Sequence, residues 1–240
     1  MLTINVITPF PKMFDVIFNN SILLKAKEKN KVKYNIYNLF NYLDDSKQRI
    51  DDYPFGGIEG MLLKPEPIFN ALQEIDKVME NKSHRIIFPT PDGEKFNHSI
   101  AKELSKEKEL TFICGHYKGI DQRIRDNFVS DEISIGDFVL TSRELPSMVI
   151  IDSIIRLKEG VLNNYNSAIK DSFYDFLLDG PHYTRPREFN GLEVPDVLFG
   201  GNHGKIDKWF LNQRIDKTKK RRPDLWKKYK SKNKDGVSDG

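Results

Sequence analysis

The chain has 240 residues, 38% hydrophobic and 11% aromatic, which suits a folded protein with a sizeable core and excludes a disordered chain. Its single cysteine, Cys114, excludes an intramolecular disulfide, and no Cys/His spacing indicates zinc. No apolar run approaches the ~20 residues of a membrane span, and the start lacks a secretion signal, so we expect a cytoplasmic protein without a membrane partner.

The net charge is only +3, but it is distributed unevenly. Residues 205–234 contain 13 Lys or Arg and 3 Asp, a local charge of +10, so the remainder of the chain carries −7. A basic tail on an acidic body is typical of a protein that faces nucleic acid, although a solvated lysine-rich terminus has the same composition. Charge alone leaves both interpretations open.

Strand-like and helix-like patterns alternate from the start of the chain to about residue 162. The strand-like segments are LTINVIT, YNIYNLF, HRIIFPT, ELTFICG and DEISIGDFVL, and the helical patterns span 67–79, 97–107, 120–128 and 144–157. This alternation predicts an α/β domain over residues 1–162 with a mainly parallel sheet.

The remainder of the chain predicts a different kind of domain. Residues 163–170 are polar without a period and indicate a flexible linker. Residues 171–240 predict a small, all-helical basic domain, with a long helix over 203–219, a shorter one that has Pro223 in its first turn, and a frayed tail from 231.

Four loops carry residues that suit ligand binding. The glycines of YPFGGIEGMLLKPEP permit a close approach to a ligand, but a structural turn is at least as good an explanation. FPTPDGEKF, FICGHYKGIDQRI and ISIGDFVLTSRELPSM each follow a predicted strand. Because ligands of open α/β sheets bind beyond the carboxyl ends of the strands, these three loops together predict a pocket, whereas each alone fits an ordinary turn.

Two charged residues each allow structural and functional interpretations. Arg156 follows the apolar helix MVIIDSII, where it would favour the helix dipole, extend to solvent, or stabilise an anion. Asp171 follows the predicted linker, where it would cap a helix or act as a general base. Periodicity does not decide between these roles.

Several motifs, in the same order along about residues 1–225, resemble the bacterial tRNA (guanine-N1)-methyltransferase family. They are DDYPFGGIEGM, CGHYKGIDQR, ISIGDFVL, ELPSM, DSFYDFLLDGPHYTRPREFNGLEVPDVL, GNHGKIDKW and RRPDL. The resemblance implies methylation of the guanosine 3′ of the anticodon (position 37), with the tRNA anticodon stem-loop as partner. It also implies a trefoil-knotted SPOUT-class α/β fold with a helical C-terminal domain, and a homodimer with its active site at the subunit interface.

The resemblance also implies the functional residues. S-Adenosylmethionine would be held by loops at 88–91, 115–117 and 135–140 and by the helix start. The cofactor residues are Phe88, Pro89, Thr90, Pro91, Gly115, Tyr117, Ile135, Gly136, Asp137, Phe138, Val139, Leu140 and Pro146. Asp171 would be the general base and Arg156 the catalytic arginine, while His182 and Arg185 would contact RNA and Tyr183 would pack. A sulfonium is already an activated methyl donor, so we expect no metal site, and any Mg²⁺ dependence would concern RNA or cofactor electrostatics.

Some residues depart from the family pattern. Ser142 and Arg143 replace a Gly-Gly pair, and Lys118 replaces a glutamate. Ile58 and Glu59 stand where a glycine and a small residue or proline are common, and Gln48 replaces a histidine. The Ser142-Arg143 substitution motivates an alternative, a catalytically weakened RNA-binding module of the same fold. Because Asp171, Arg156, Gly115 and Gly136 remain, we expect an active enzyme.

Overall fold

The computed structural model describes residues 1–45, 49–78, 84–162 and 171–235. Gln48, the predicted linker at 163–170, the end of the helix predicted to residue 79 and the last five residues lie outside these ranges. The chain divides into two compact units, Met1–Asn163 and Asn164–Gly240. No helix of the described ranges is both long and apolar enough to cross a membrane.

A five-stranded parallel sheet forms the centre of the first unit, as the alternating pattern predicted. Its strand order is β2-β1-β6-β5-β7, and every neighbouring pair is parallel. The strands are β1 Leu2–Thr8, β2 Val32–Asn38, β5 Arg85–Lys95, β6 Glu109–Ile113 and β7 Asp131–Ser134; a small antiparallel pair, β3 Asp51–Asp52 and β4 Leu62–Leu63, stands apart.

Six α-helices accompany the sheet, and the sequence predicted four of them. They are α1 Lys12–Phe18, α2 Ser21–Glu28, α3 Pro65–Val78, α4 His98–Leu104, α5 Gln122–Phe128 and α6 Glu144–Arg156, with a 3-10 turn at Leu39–Tyr42. The unpredicted α1 and α2 are only 7 and 8 residues long. α4 and α5 are equally short, but they have side-chain caps, which α1 and α2 lack. Burial of Phe14 and Phe18 in the core stabilises α1 instead.

Alternating strand residues divide the core between the two faces of the sheet. Leu2, Ile4 and Val6 of β1 join one hydrophobic cluster with residues of α1, α2, α4 and α6. Ile7 joins a second cluster with residues of α3 and α5. The first unit therefore has three layers, with the sheet covered by helices on both faces.

The two strands next to the predicted pocket end irregularly. Ile133 of β7 pairs with both Pro89 and Glu94 of β5, so residues 90–93 form a bulge. Prolines at 89 and 91 lack the N–H donor that a regular strand needs. β7 ends at Ser134, so the second apolar run of ISIGDFVL belongs to a loop. Its residues Phe138 and Val139 are exposed.

The second unit is built on two basic helices, His203–Arg221 and Pro223–Asp235. The final helix continues through residues 231–235, so the prediction of a frayed tail from 231 was wrong for that stretch. The unit also contains a short antiparallel pair, Glu188–Phe189 with Leu192–Glu193, and a 3-10 turn at Asp196–Phe199, which the sequence did not predict. Strands of two residues are too short to show alternation.

Candidate functional site

A cleft, partly open to solvent, lies between the bulge of β5 and the carboxyl end of β7. This is the edge of a parallel sheet where exposed backbone groups are available to a ligand. The cleft is lined by the β5 bulge, the loop after β7 and the start of α6. The lining residues are Pro89, Thr90, Pro91, Ile133, Ser134, Ile135, Gly136, Phe138, Leu140, Ser142, Arg143 and Pro146.

Two glycines allow the backbone to form this cleft. A Cβ on Gly93 would lie 2.4 Å from the carbonyl carbon of Glu132, so only glycine lets the bulge approach β7 this closely. Gly136 has φ +153°, and a Cβ there would lie 2.5 Å from a ring carbon of Phe138. A larger residue at either position would displace a wall of the cleft.

A network of charged side chains holds the β5 bulge in place. Arg125 bonds both carboxylate oxygens of Glu132 at 2.7 Å and Asp92 at 2.8 Å, and Thr90 also donates to Asp92. The bonds from Arg125 and Thr90 lower the pKa of Asp92 to about 2, so this carboxylate is ionised at neutral pH. The guanidinium of Arg125 also lies 5.5 Å from the centre of the Phe88 ring.

Eight of the thirteen predicted cofactor residues line the cleft: Pro89, Thr90, Pro91, Ile135, Gly136, Phe138, Leu140 and Pro146. Phe88 is buried behind it, where its ring would lie 3.0 Å from a Cβ on Gly115. Tyr117, with φ +55°, borders an adjacent hollow with Phe10 and His116. Asp137 and Val139 are exposed and do not line the cleft.

A buried carboxylate joins β1, the 115–119 loop and α6. Glu144 is fully buried; its Oε1 accepts a hydrogen bond from the Thr8 hydroxyl at 2.7 Å, and its Oε2 lies 2.9 Å from Nε2 of His116. Burial alone would raise the pKa of Glu144, but the hydrogen bonds from His116 and Thr8 outweigh it and hold that pKa below its ordinary value. Glu144 is not among the functional residues predicted from the sequence.

Ser142 and Arg143, which the resemblance marked as departures, both line the cleft. Ser142 is buried and pairs its backbone with His116. Arg143 donates from its backbone N–H to the carbonyl of Gly115 at 3.3 Å and from Nη1 to the carbonyl of Tyr117 at 3.3 Å. Arg143 therefore connects the start of α6 to the 115–119 loop.

The glycine-rich segment and Lys118 lie elsewhere. Gly56, Gly57 and Gly60 all have positive φ, and the neighbouring Phe55 is 97% exposed, as expected of a turn on the surface. The aliphatic stem of Lys118 packs beside Gly60.

The two predicted catalytic residues belong to different units. Arg156 is the last residue of α6 and is exposed. Asp171 is partly buried and begins a series of turns that continues to residue 176. No helix starts at Asp171 in the described ranges, so the helix-capping interpretation of this residue was wrong.

The segment that follows Asp171, residues 172–179, packs against the long basic helix His203–Arg221. Thr218 is fully buried and accepts a hydrogen bond from the backbone N–H of Leu178 at 2.8 Å. Asp175 bonds Arg214 at 2.7 Å, and the carbonyl of Asp179 accepts from Lys217 at 2.8 Å. The segment therefore owes part of its composition to packing within the second unit.

The predicted RNA-contacting residues lie on the surface of the second unit. His182 and Arg185 are exposed, and Nε2 of His182 lies 2.7 Å from a carboxylate oxygen of Asp179. The centre of the Tyr183 ring lies 6.5 Å from that of Trp209, as expected of a packing role. About half of Tyr183 is nevertheless exposed to solvent. Within the described ranges, no group of three or more His, Cys, Asp or Glu could hold a metal ion.

A three-layer α/β unit with a cleft at the carboxyl end of a parallel strand, in a chain that also has a basic helical unit, indicates a cofactor-binding enzyme that acts on nucleic acid. Residues 2–228 match the family described as tRNA (Guanine-1)-methyltransferase TrmD. The chain belongs to this family of tRNA (guanine-N1)-methyltransferases, whose fold is of the SPOUT class.

Curated relatives are similar over nearly their whole length. A "tRNA (guanine-N(1)-)-methyltransferase" of Staphylococcus aureus strain JH9 is 50% identical over 234 residues, which is 98% of this chain and 94% of that protein. The protein with the same description from strain Newman is 50% identical over 228 residues, which is 95% of this chain and 92% of that protein.

Proposed function

We propose that this chain transfers a methyl group from S-adenosylmethionine to N1 of guanosine 37 of tRNA, the nucleotide 3′ of the anticodon. The observation that carries the proposal is the family match over residues 2–228. The cleft supports it, because two of the three loops predicted to hold the cofactor, 88–91 and 135–140, line one cavity with the start of α6. The predicted domain limits, 1–162 and 171–240, are part of this proposal.

The cleft suits the proposed cofactor. Its lining combines apolar side chains with backbone and hydroxyl groups, as is usual for small-molecule sites. Pro91, Ile135, Leu140 and Pro146 offer apolar surface for an adenine ring, and the irregular strand ends offer backbone groups to its edge. When bound there, S-adenosylmethionine would supply a methyl group already activated by a sulfonium sulfur.

The chain itself would supply the proton transfer and the charge stabilisation. N1 of guanine carries a proton, and its lone pair becomes available for attack when a base removes that proton. The carboxylate of Asp171 takes this proton. Negative charge then develops on O6, and the guanidinium of Arg156 stabilises it more strongly than a neutral donor would.

The second unit would bind the RNA. The target base must leave its stack in the anticodon loop to reach a catalytic carboxylate. The basic helices, with His182 and Arg185 on the same unit, would contact phosphates or bases of the stem-loop. Because phosphate contacts release counterions, the affinity for tRNA should fall steeply as salt rises.

A homodimer with shared active sites is the proposed assembly. It can be tested by mixing two inactive variants, Asp171→Asn and Arg156→Ala. If one subunit supplies Asp171 and the other supplies Arg156, a mixed dimer contains one intact site, and random exchange restores about a quarter of wild-type turnover. If both residues act within one subunit, every site remains defective and no activity returns.

The direct test uses labelled S-adenosylmethionine and unmodified tRNA transcripts. We expect label in a transcript with guanosine at position 37 and none when that base is adenosine, with primer extension stopping at the methylated base. Label at another nucleotide would refute the position, and no label on any transcript would refute the activity.

The alternative is a weakened RNA-binding module, which the presence of Ser142 and Arg143 in the cleft wall favours. Calorimetry separates the two functions. An enzyme would bind both S-adenosylmethionine and the anticodon arm. The module would bind the anticodon arm but not the cofactor.

A further inference from the structure

Arg143 presents unused hydrogen-bond donors to the cleft. Its guanidinium donates one hydrogen bond to the described protein, from Nη1 to the carbonyl of Tyr117, and no carboxylate of the described ranges lies within 4.0 Å of it. A guanidinium has five N–H donors, so most of them remain for solvent or a ligand. The side chain is only partly exposed, which limits how well water can satisfy them.

The nearest acids are held by other partners. Asp92 is bonded to Arg125 and Thr90, and Glu144 is bonded to Thr8 and His116. Burial lowers the pKa of Arg143, whereas Asp92 and Glu144 raise it less. An arginine remains charged in any case, so this side chain is a partly desolvated cation without an ion-pair partner in the described ranges.

A second cation lies near the same aromatic ring as Arg143, although it does not line the cleft. The guanidinium carbons of Arg143 and Arg125 lie 5.9 Å and 5.5 Å from the centre of the Phe88 ring. Stacking near an aromatic ring restricts the side chain and leaves the guanidinium edge available for hydrogen bonds. Glu132 and Asp92 offset the charge of Arg125. Arg143 has no such contact within the described ranges, so an anionic ligand group is favoured beside it.

We propose that Arg143 binds the α-carboxylate of the amino-acid part of S-adenosylmethionine and so makes this chain selective for ligands that carry that carboxylate. The proposal rests on the proposed function. The planar fork of a guanidinium matches a carboxylate with two parallel hydrogen bonds. Its position among the cofactor-lining residues favours a small-molecule carboxylate over an RNA phosphate, which the exposed basic helices would bind.

Isothermal titration of the full chain with two ligands tests this assignment. S-Adenosylhomocysteine has the carboxylate, and 5′-methylthioadenosine has the same adenosine and thioether but lacks the amino-acid part. Arg143→Ala should weaken S-adenosylhomocysteine binding by about 10- to 100-fold, as expected for a charge-assisted hydrogen bond. Binding of 5′-methylthioadenosine should change by less than about twofold, which also shows that the variant is folded.

Two further variants sharpen the result. Arg143→Lys keeps the charge without the fork and should recover part of the lost affinity. Arg123→Ala removes a guanidinium that is paired with Asp121 and does not line the cleft, and it should leave both affinities unchanged.

Three results would overturn the assignment. Equal losses for both ligands would mean that Arg143 shapes the adenosine site, and no loss for either would mean that it does not contact the cofactor. Wild-type protein that binds neither ligand would refute the proposed cofactor, and this inference with it. Only the selective loss of S-adenosylhomocysteine supports the proposal.

Discussion

Replacing Glu144 by alanine tests whether the buried carboxylate holds the cleft together. The change leaves the fully buried Thr8 hydroxyl without its acceptor and His116, whose side chain is 15% exposed, without its carboxylate. A buried polar group left without its hydrogen-bond partner costs ~1–3 kcal/mol, and two groups lose a partner here, so we expect a loss of about 3 kcal/mol. A loss of about 3 kcal/mol corresponds to a fall in Tm of roughly 6–12 °C.

Differential scanning calorimetry measures this loss in the first unit. Both tryptophans, Trp209 and Trp226, belong to the second unit, so tryptophan fluorescence would report on the wrong part of the chain. Glu66→Ala is the matched control, since Glu66 is also in the first turn of a helix but is exposed. It should shift Tm by little, because its main role there is with the helix dipole.

The pH dependence has a defined sign. The pKa of Glu144 is lowered in the folded state, so its contribution to stability is complete above the ordinary value of 4.5 and is lost as the pH falls through the lower, folded value. The gap in Tm between wild type and Glu144→Ala should therefore be constant near neutral pH and narrow below about 4.5. Equal destabilisation by Glu144→Ala and Glu66→Ala would refute the reasoning.

Three further variants test the proposed chemistry and the docking of the segment after Asp171. Asp171→Asn should lower turnover at least ~100-fold with little change in cofactor affinity, as measured by single-turnover methylation and calorimetry, whereas Asp216→Asn, an exposed acid of the same unit, should not. Arg156→Ala should lower turnover by ~10²–10³-fold in the same assay, and a normal rate would exclude its role at O6. Thr218→Val should destabilise the second unit by ~1–3 kcal/mol in a fluorescence-monitored urea titration, because the N–H of Leu178 loses its acceptor.

The parallel sheet and its main helices could be predicted from local pattern. Buried parallel strands are short apolar runs, and a helix with one buried face repeats its apolar residues every three or four positions. Helices at 98–104 and 122–128 also have side-chain caps, Asn97 and Asp121, that the sequence displays directly. The helices at 12–18 and 21–28 escaped prediction because they have no side-chain cap and depend on the core for stability.

Local pattern was sufficient to predict the layered α/β architecture, the basic helical unit and the motifs that connect the chain to its family, since all of these depend on residues close together in the chain. The shared cleft could not be predicted in this way, because residues 89–91 and 133–146 meet only when the sheet forms. The same holds for Thr8 and Glu144, which are 136 positions apart, and for Asp175 and Arg214, which are 39 positions apart. Hydrogen bonds and charge pairs of this kind depend on distances that no local pattern records.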